Sequence, residues 1–361
     1  RLPPISTLFP YTTLFRSIVF ALAASKKSTH WISLFFIFIF FNFFQLRYFG
    51  LDTITKIEKY SLFAAIRSQL GHSKNLFNGH FEMDYRSRLA SAAIFSNIPK
   101  DISVDVYPWD QSNVIASQLN YSPRFVFQSY LAYTPDMLRE NAIHVEREKS
   151  PDLILWQVLE IDDRFPPLMD GASWPAVLGK YAPAGHLAGH LKLSKNSAGK
   201  VLELNAKSSI QSKIDRKTIL AFPDAEGKMV WFTMDIEYTL LGKLLNVFFR
   251  PPALMMKVVD QNGKESEYRM IPGMMKTPFL FSPLITDTEQ FLKLYSAGQS
   301  TDFNIPREIC IQSKLSIVST MGTSWLERWL QRNSYQENIE IRYYTSSFPA
   351  SCMVDEKQEK R

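Results

Sequence analysis

Short apolar runs alternate with helix-like segments between Ile102 and Leu193. Ile102 to Tyr107 predicts a strand, Gln111 to Leu119 a helix, and Arg124 to Gln128 a second strand. Thr134-Pro135-Asp136 supplies a helix start: threonine caps a free amide, proline suits the first turn, and the acid favours the positive helix end. Met137, Asn141, His144 and Val145 fit the helix that follows, and Pro151 stops it. Leu153 to Val158 predicts a strongly apolar strand. Ser173-Trp174-Pro175 starts another helix ending near Tyr181, and His186 to Leu193 returns as a strand. This alternation predicts an α/β layered domain over residues 101–195, with helices covering a sheet.

Beyond Ala198 the pattern becomes strand-rich. Val201 to Leu204, Thr218 to Phe222, Val230 to Ile236 and Leu254 to Val259 predict strands, and Asp260-Gln261-Asn262-Gly263 is a turn signal before the run around Tyr268 to Ile271. Later strands are expected at Cys310 to Ser319 and Ile339 to Tyr344, with short helices at Asp287 to Tyr295 and Ser324 to Leu330. A β-sandwich-like domain over residues 196–350 is the economical arrangement. Residues 51–100 are expected as a helical connector and residues 351–361 as a disordered, charged tail. The fold class expected is α+β overall: an N-terminal transmembrane helix, an α/β layered domain, then the β-sandwich-like domain.

The transmembrane expectation rests on Trp31 to Leu46, WISLFFIFIFFNFFQL, which carries no charge. Extended through Ser28 to Phe49, the stretch reaches 22 residues, enough at about 1.5 Å per residue to cross a hydrocarbon core of about 30 Å. A buried helix or strand is the alternative. An amphipathic surface helix would need a polar face, and Gln45-Leu46-Arg47-Tyr48 offers no small-residue signal-peptide cleavage site. Ile18 to Ala24 is a second apolar fragment, so residues 18–50 read as a span remnant, a loop holding Lys26 and Lys27, and a last span. Those lysines favour a cytoplasmic loop and an extracytoplasmic region beyond residue 50, although Arg47, Lys56 and Lys59 count against it.

Composition narrows the classes. The chain is 46% hydrophobic and 21% charged, which describes folded protein and not a disordered chain. Its net charge of +6 is dispersed. The cluster Lys207, Lys213, Arg216 and Lys217 lacks interleaved aromatics, so no nucleic-acid partner is expected. Cys310 and Cys352 are the only cysteines; they are open to pairing in an oxidising compartment or are two unrelated small residues.

Dinucleotide, P-loop, zincin and serine-hydrolase motifs are absent from the sequence, so no cofactor and no metal is expected. His186 and His190 in GHLAGH have a metal-ligand spacing on a helix. The adjacent glycines disfavour one, a strand would separate the rings by about 13 Å, and no third ligand is identifiable. The richest polar assembly goes with the predicted strands: Tyr107-Pro108-Trp109-Asp110 follows the first, the Arg124 to Tyr130 segment includes the second, and Glu160 to Arg164 follows the third. Loops beyond strand carboxyl ends converge in open α/β sheets, which makes Asp110, Arg124, Gln128, Tyr130, Tyr133, Asp162, Arg164 and Trp174 the candidate ligand-binding residues. A carboxylate there suits acid–base work or a sugar hydroxyl, an arginine suits phosphate or carboxylate, and the aromatics suit a sugar face. The structural alternatives are equally concrete: Asp110 as a helix cap, Asp162 as the ion-pair partner of Arg164, and the aromatics as core. No catalytic residue is assignable.

VDVYPWDQSNVIASQLNYSPRFVFQSYLAYT and PDLILWQVLEIDDRFPPLMDGASWPAVLGKY resemble the carboxy-terminal soluble part of an uncharacterised group of bacterial multi-spanning membrane proteins. The resemblance covers roughly residues 95 to 195 and, more loosely, continues to about 345; its matched positions include Ser129, Pro166 and Asp170 besides the candidates above. The layout is similar to polytopic lipid-linked glycosyltransferases, whose catalytic acid lies in a loop between early spans. LFPYTTLFRS, Leu8 to Ser17, resembles a translated sequencing adaptor, implying that residues 1–17 are non-native and that upstream spans are missing. The resemblance implies a bacterial inner-membrane protein with a lipid-bilayer partner and an extracytoplasmic region that recognises or supports handling of an envelope glycan or lipid-linked sugar. The alternatives are a glycosyltransferase-like or hydrolytic enzyme using carboxylates of the 107–170 loops, and a structural assembly module.

Overall fold

The computed structural model describes residues 93–222, 225–248, 252–296, 303–314, 329–330 and 332–349. The expected span at Ser28 to Phe49, the tail and Cys352 lie outside them. No helix among the described residues is long and apolar enough to cross a membrane. The described fold is α+β, with three sheets and few helices.

The first sheet has five strands in the order β2-β1-β3-β5-β4, where β1 is Ser103–Tyr107, β2 Asn120–Tyr121, β3 Leu153–Trp156, β4 Tyr181–Leu187 and β5 His190–Lys195. Strands β1, β2 and β3 run parallel, β5 joins antiparallel to β3, and β4 joins antiparallel to β5 at the sheet edge. Helix α1 (Gln111–Ala116) connects β1 to β2, while α2 (Pro135–Glu146) precedes β3. Thr134 caps α2 as its sequence predicts: Oγ1 accepts from the Met137 amide at 3.3 Å, with Pro135 at the first turn and Asp136 beside it. Helix α3, Trp174–Lys180, leads directly into β4.

Two further sheets are antiparallel, each with four strands. One has the order β10-β9-β12-β7, with β7 at Lys217–Ile219, β9 at Ala253–Asp260, β10 at Glu265–Met270 and β12 at Pro306–Lys314. The other has the order β11-β8-β13-β6, with β6 at Asn205–Lys213, β8 at Met229–Asp235, β11 at Phe279–Ser282 and β13 at Asn338–Ser346. The shorter helices are α4 (Leu240–Phe248), α5 (Pro272–Met275) and α6 (Thr288–Lys293).

Strand alternation decides how these layers meet. Val230, Phe232 and Met234 of β8 join Met256 and Val258 of β9 and Ile309 and Ile311 of β12 in one buried cluster. Met229 and Trp231, on the opposite face of β8, join Ile154, Trp156, Leu191 and Leu193 of the five-stranded sheet, together with Trp174 and Phe291. Both faces of β8 are thus desolvated, which is why its sequence reads as continuously apolar. Val104, Val106 and Leu155 point to a third cluster with Phe95 and Val114 on the far side of the five-stranded sheet.

Three expectations need correction. The segment Arg124 to Gln128 is a loop, because the Arg124 guanidinium gathers carbonyls that a strand would commit to a neighbour. His186 to Leu193 is a hairpin and not one strand: Ala188 (φ 48°) and Gly189 (φ 80°) take left-handed conformations, and Leu187 pairs with His190. Val201 to Leu204 is irregular, and the neighbouring strand is the mostly polar β6.

Candidate functional site

The alternation of β1 sends Val104 and Val106 into the apolar cluster and Asp105 to the opposite face with Tyr107. Arg124 lies over Tyr107, its guanidinium carbon 3.6 Å from the ring centroid. Nη1 donates to both Asp105 carboxylate oxygens at 3.1 Å and to the Val106 carbonyl at 2.7 Å. Nη2 donates to the carbonyls of Pro108 and Phe127 at 3.1 and 2.9 Å and to Ser129 Oγ at 3.0 Å. Nε faces Asp170 Oδ2 at 3.3 Å as an ion pair, outside good hydrogen-bond geometry. Arg124, Asp105 and Asp170 are all buried.

Asp170 closes the network. Its Oδ2 accepts from Asn141 Nδ2 at 3.0 Å and Ser129 Oγ at 3.2 Å, and its Oδ1 from Ser173 Oγ at 3.1 Å. Asn141 also bonds both backbone groups of Val126, tying α2 to the Arg124 loop. Burial pushes the Asp105 carboxyl up to about 6 against the opposing attraction of Arg124, and raises Asp170 for the same reason. Arg124 stays charged: its two carboxylates outweigh desolvation and raise its pKa. His144 Nε2 sits 3.6 Å from Asp105 Oδ2, with its pKa held down to about 4 by burial and by Arg147 and Arg124.

A second assembly lies nearer the surface. Arg164 Nη1 donates to the Tyr130 carbonyl at 2.6 Å, and Nη2 lies 3.3 Å from Tyr133 Oη and 3.4 Å from Asp162 Oδ2. The guanidinium carbon is 5.3 Å from the Tyr133 ring centroid. Trp109 meets the Tyr130 ring edge to face at 5.9 Å. Tyr133 and Asp162 are exposed, while Trp109 and Tyr130 are half-buried.

Four of the eight sequence candidates, Tyr130, Tyr133, Asp162 and Arg164, therefore meet. Arg124 belongs to the buried network instead. Asp110 makes no side-chain cap; its Oδ2 lies 3.3 Å from Nε2 of buried His190, whose ring meets Phe95 edge to face. His186 is exposed on the other strand of that hairpin. Gln128 is half-buried, and its carbonyl accepts from the Leu131 amide at 2.9 Å. Trp174 packs against Trp156 and Phe291 in the core. Sequence reasoning missed Asp105, Asn141 and His144 as network members; the available signal was the acid inside the apolar run Val104-Asp105-Val106.

The crevice beyond the carboxyl ends of β1 and β3, bordered by Tyr107, Pro108, Trp156, Gln157 and Trp174, has a free volume of about 10 Å³. That accommodates about one water molecule, not a sugar. A shallower hollow of about 250 Å³ lies between Lys207, Ser209, Glu340, Arg342 and Tyr344, away from every sequence candidate. Among the described residues no three His, Cys, Asp or Glu side chains are placed to hold a metal ion. Chemically, the buried network is a strut of one guanidinium shared by two carboxylates, and the Arg164 assembly sets a buried guanidinium beside an exposed phenol and carboxylate and half-buried aromatic rings. No family model, curated protein or solved structure matches the chain.

Proposed function

We propose that the described region is a non-catalytic recognition domain that holds an envelope glycan or lipid-linked sugar for a membrane-embedded protein. The observation that carries this reading is the meeting of exposed Tyr133 and Asp162 with half-buried Trp109 and Tyr130 around the buried Arg164. Flat aromatic faces beside a guanidinium and a carboxylate suit a polar ring with charged substituents. The filled crevice and the mutual ion pairs of Asp105, Arg124 and Asp170 support a binding role over acid–base chemistry in the 107–170 loops. In the same proposal the two four-stranded sheets form a β-sandwich-like support. The domain is extracytoplasmic, anchored in the bacterial inner membrane through Trp31 to Leu46.

A second reading, an assembly module, is favoured by Phe125 and Phe127. Both are exposed, at 69% and 49%, on either side of the pinned Val126. The full chain in detergent, titrated with envelope glycans and lipid-linked sugars while tryptophan fluorescence is recorded, separates the two. Recognition predicts saturable binding that weakens in Tyr130→Ala. Absence of saturable binding, with self-association lost in Phe125→Ser, removes recognition and leaves assembly.

A further inference from the structure

The two arginines buried among the described residues are satisfied very differently. Arg124 has two buried carboxylates, three carbonyls and a hydroxyl, with donor distances down to 2.7 Å. Arg164 is equally buried, at 2% side-chain exposure, yet its carboxylate partner is Asp162, which is 51% exposed. Charge-assisted bonds ordinarily close to about 2.7–2.9 Å. Arg164 Nη2 instead has contacts of 3.3 and 3.4 Å, to Tyr133 Oη and Asp162 Oδ2, and Nε has no hydrogen-bond partner. Nη1 is committed to the Tyr130 carbonyl at 2.6 Å. A desolvated guanidinium is thus fixed in place by one edge while its other amine is loosely held by a group that water already reaches.

We propose that Nη2 of Arg164 is an oxyanion subsite, occupied in the free protein by Asp162 and taken in the bound state by a ligand carboxylate or phosphate. The inference rests on the recognition reading and names its ligand class: an acidic sugar or a phosphate-bearing sugar, not a neutral one. Asp162 acts as an internal competitor. Exchange costs little because an exposed carboxylate returning to water regains its hydration, whereas the incoming anion gains a guanidinium that solvent has already left. Tyr133 Oη, 3.3 Å from the same amine, donates its proton to a second anion oxygen. The Trp109 and Tyr130 rings, in mutual contact beside it, face the rest of the ring.

The test uses the full chain in detergent at constant ionic strength, titrated with sodium glucuronate, inorganic phosphate and glucose, with melting temperature and tryptophan fluorescence as readouts. Saturable stabilisation by either anion and none by glucose is expected. Asp162→Asn removes the competitor, and asparagine tolerates the left-handed backbone there (φ 52°). It should tighten anion binding by up to about fivefold, the worth of an exposed ion pair. Arg164→Lys keeps a charge without the planar fork and should lose the binding; its circular dichroism checks folding. Glucuronate alone identifies an acidic sugar, and phosphate alone identifies a phosphorylated carrier or sugar. Unchanged or weaker anion binding in Asp162→Asn, or no saturation by either anion, overturns the subsite. If neutral glycans still bind wild type and Arg164→Lys equally, the recognition reading survives without it.

Discussion

His144 Nε2 and Asp105 Oδ2 face each other across 3.6 Å in the interior, and burial moves their proton affinities in opposite directions. Because Arg147 Nη2 lies 2.7 Å from His144 Nδ1 and can only donate, Nδ1 accepts and the neutral ring carries its proton on Nε2, towards the carboxylate.

Two linkages follow, with opposite signs. Asp105, raised to about 6, contributes stability that is complete below its unfolded value near 3.8 and is lost as pH rises through 6. His144, lowered to about 4, contributes stability present above its unfolded value near 6.5 and lost as pH falls through 4. Between pH 4 and 6 the folded pair and the unfolded pair bind the same number of protons, so their slopes cancel. Asp105→Asn should unmask a stability that rises towards pH 6.5, and His144→Gln one that falls from pH 4 to 6, each by up to about 1.4 kcal/mol per pH unit. Urea unfolding of both variants and wild type across pH 4 to 7 checks this. Parallel profiles in all three would refute it.

Arg124 is the group on which the loops depend. Arg124→Met should cost about 3–5 kcal/mol, because it leaves Asp105 and Asp170 without their shared cation and removes one donor from each of the Val106, Pro108 and Phe127 carbonyls. Arg124→Lys should recover less than half of that loss, since one ammonium cannot reach partners spread around a planar fork. Adding Asp105→Asn and Asp170→Asn to Arg124→Met should restore stability relative to Arg124→Met alone. Chemical denaturation measures all three steps, and additive losses would contradict the shared network.

Thr134→Ala tests a local feature. Its hydroxyl caps the Met137 amide at 3.3 Å, so the substitution should cost about 1 kcal/mol and leave the Arg124 network unaltered. Thr134→Ser should be close to neutral. Thermal melts of the pair, with no change in the pH profile described above, would match this assignment.

The parts of this fold that were legible in the sequence are those written in local chemistry. Thr134-Pro135-Asp136 starts α2, and Asp260 to Gly263 turns β9 into β10, with Asp260 Oδ1 accepting from the Asn262 and Lys264 amides. The alternation of β9 is equally plain. What stayed hidden depends on distant partners. β6 is a polar, largely exposed strand whose pairing is supplied by β13, 125 or more residues away along the chain between Lys213 and Asn338. The two-residue turn Ala188-Gly189 lacks the Asn-Gly or Asp-Gly signature, which concealed the β4–β5 hairpin. Among the candidate residues, Asp162 and Arg164 follow the strand β3, whereas the sequence places Tyr130 and Tyr133 after a strand at Arg124 to Gln128 that is a loop. The burial of Arg124 was not legible, because Asp105 and Asp170 reach it from separate elements.

Gly273 gives the sharpest steric prediction. A Cβ there would lie 2.0 Å from the Tyr133 carbonyl oxygen and 3.2 Å from its carbonyl carbon, so the clash is with backbone that no rotamer change relieves. Gly273→Ala must push α5 away from the segment that carries Tyr133. A cost of about 1–3 kcal/mol is expected, as for other overpacked sites. The displacement should also disturb the Tyr133 contact with Arg164 without altering any residue of that assembly. Gly263→Ala is the matched control: it has open space around it and a φ of +78°, so its penalty is conformational alone, about 1–2 kcal/mol. The two variants can therefore lose similar stability yet differ in kind. Tyrosine near-ultraviolet circular dichroism should change in Gly273→Ala and not in Gly263→Ala. An unchanged spectrum in both would mean that Tyr133 does not rest on Gly273.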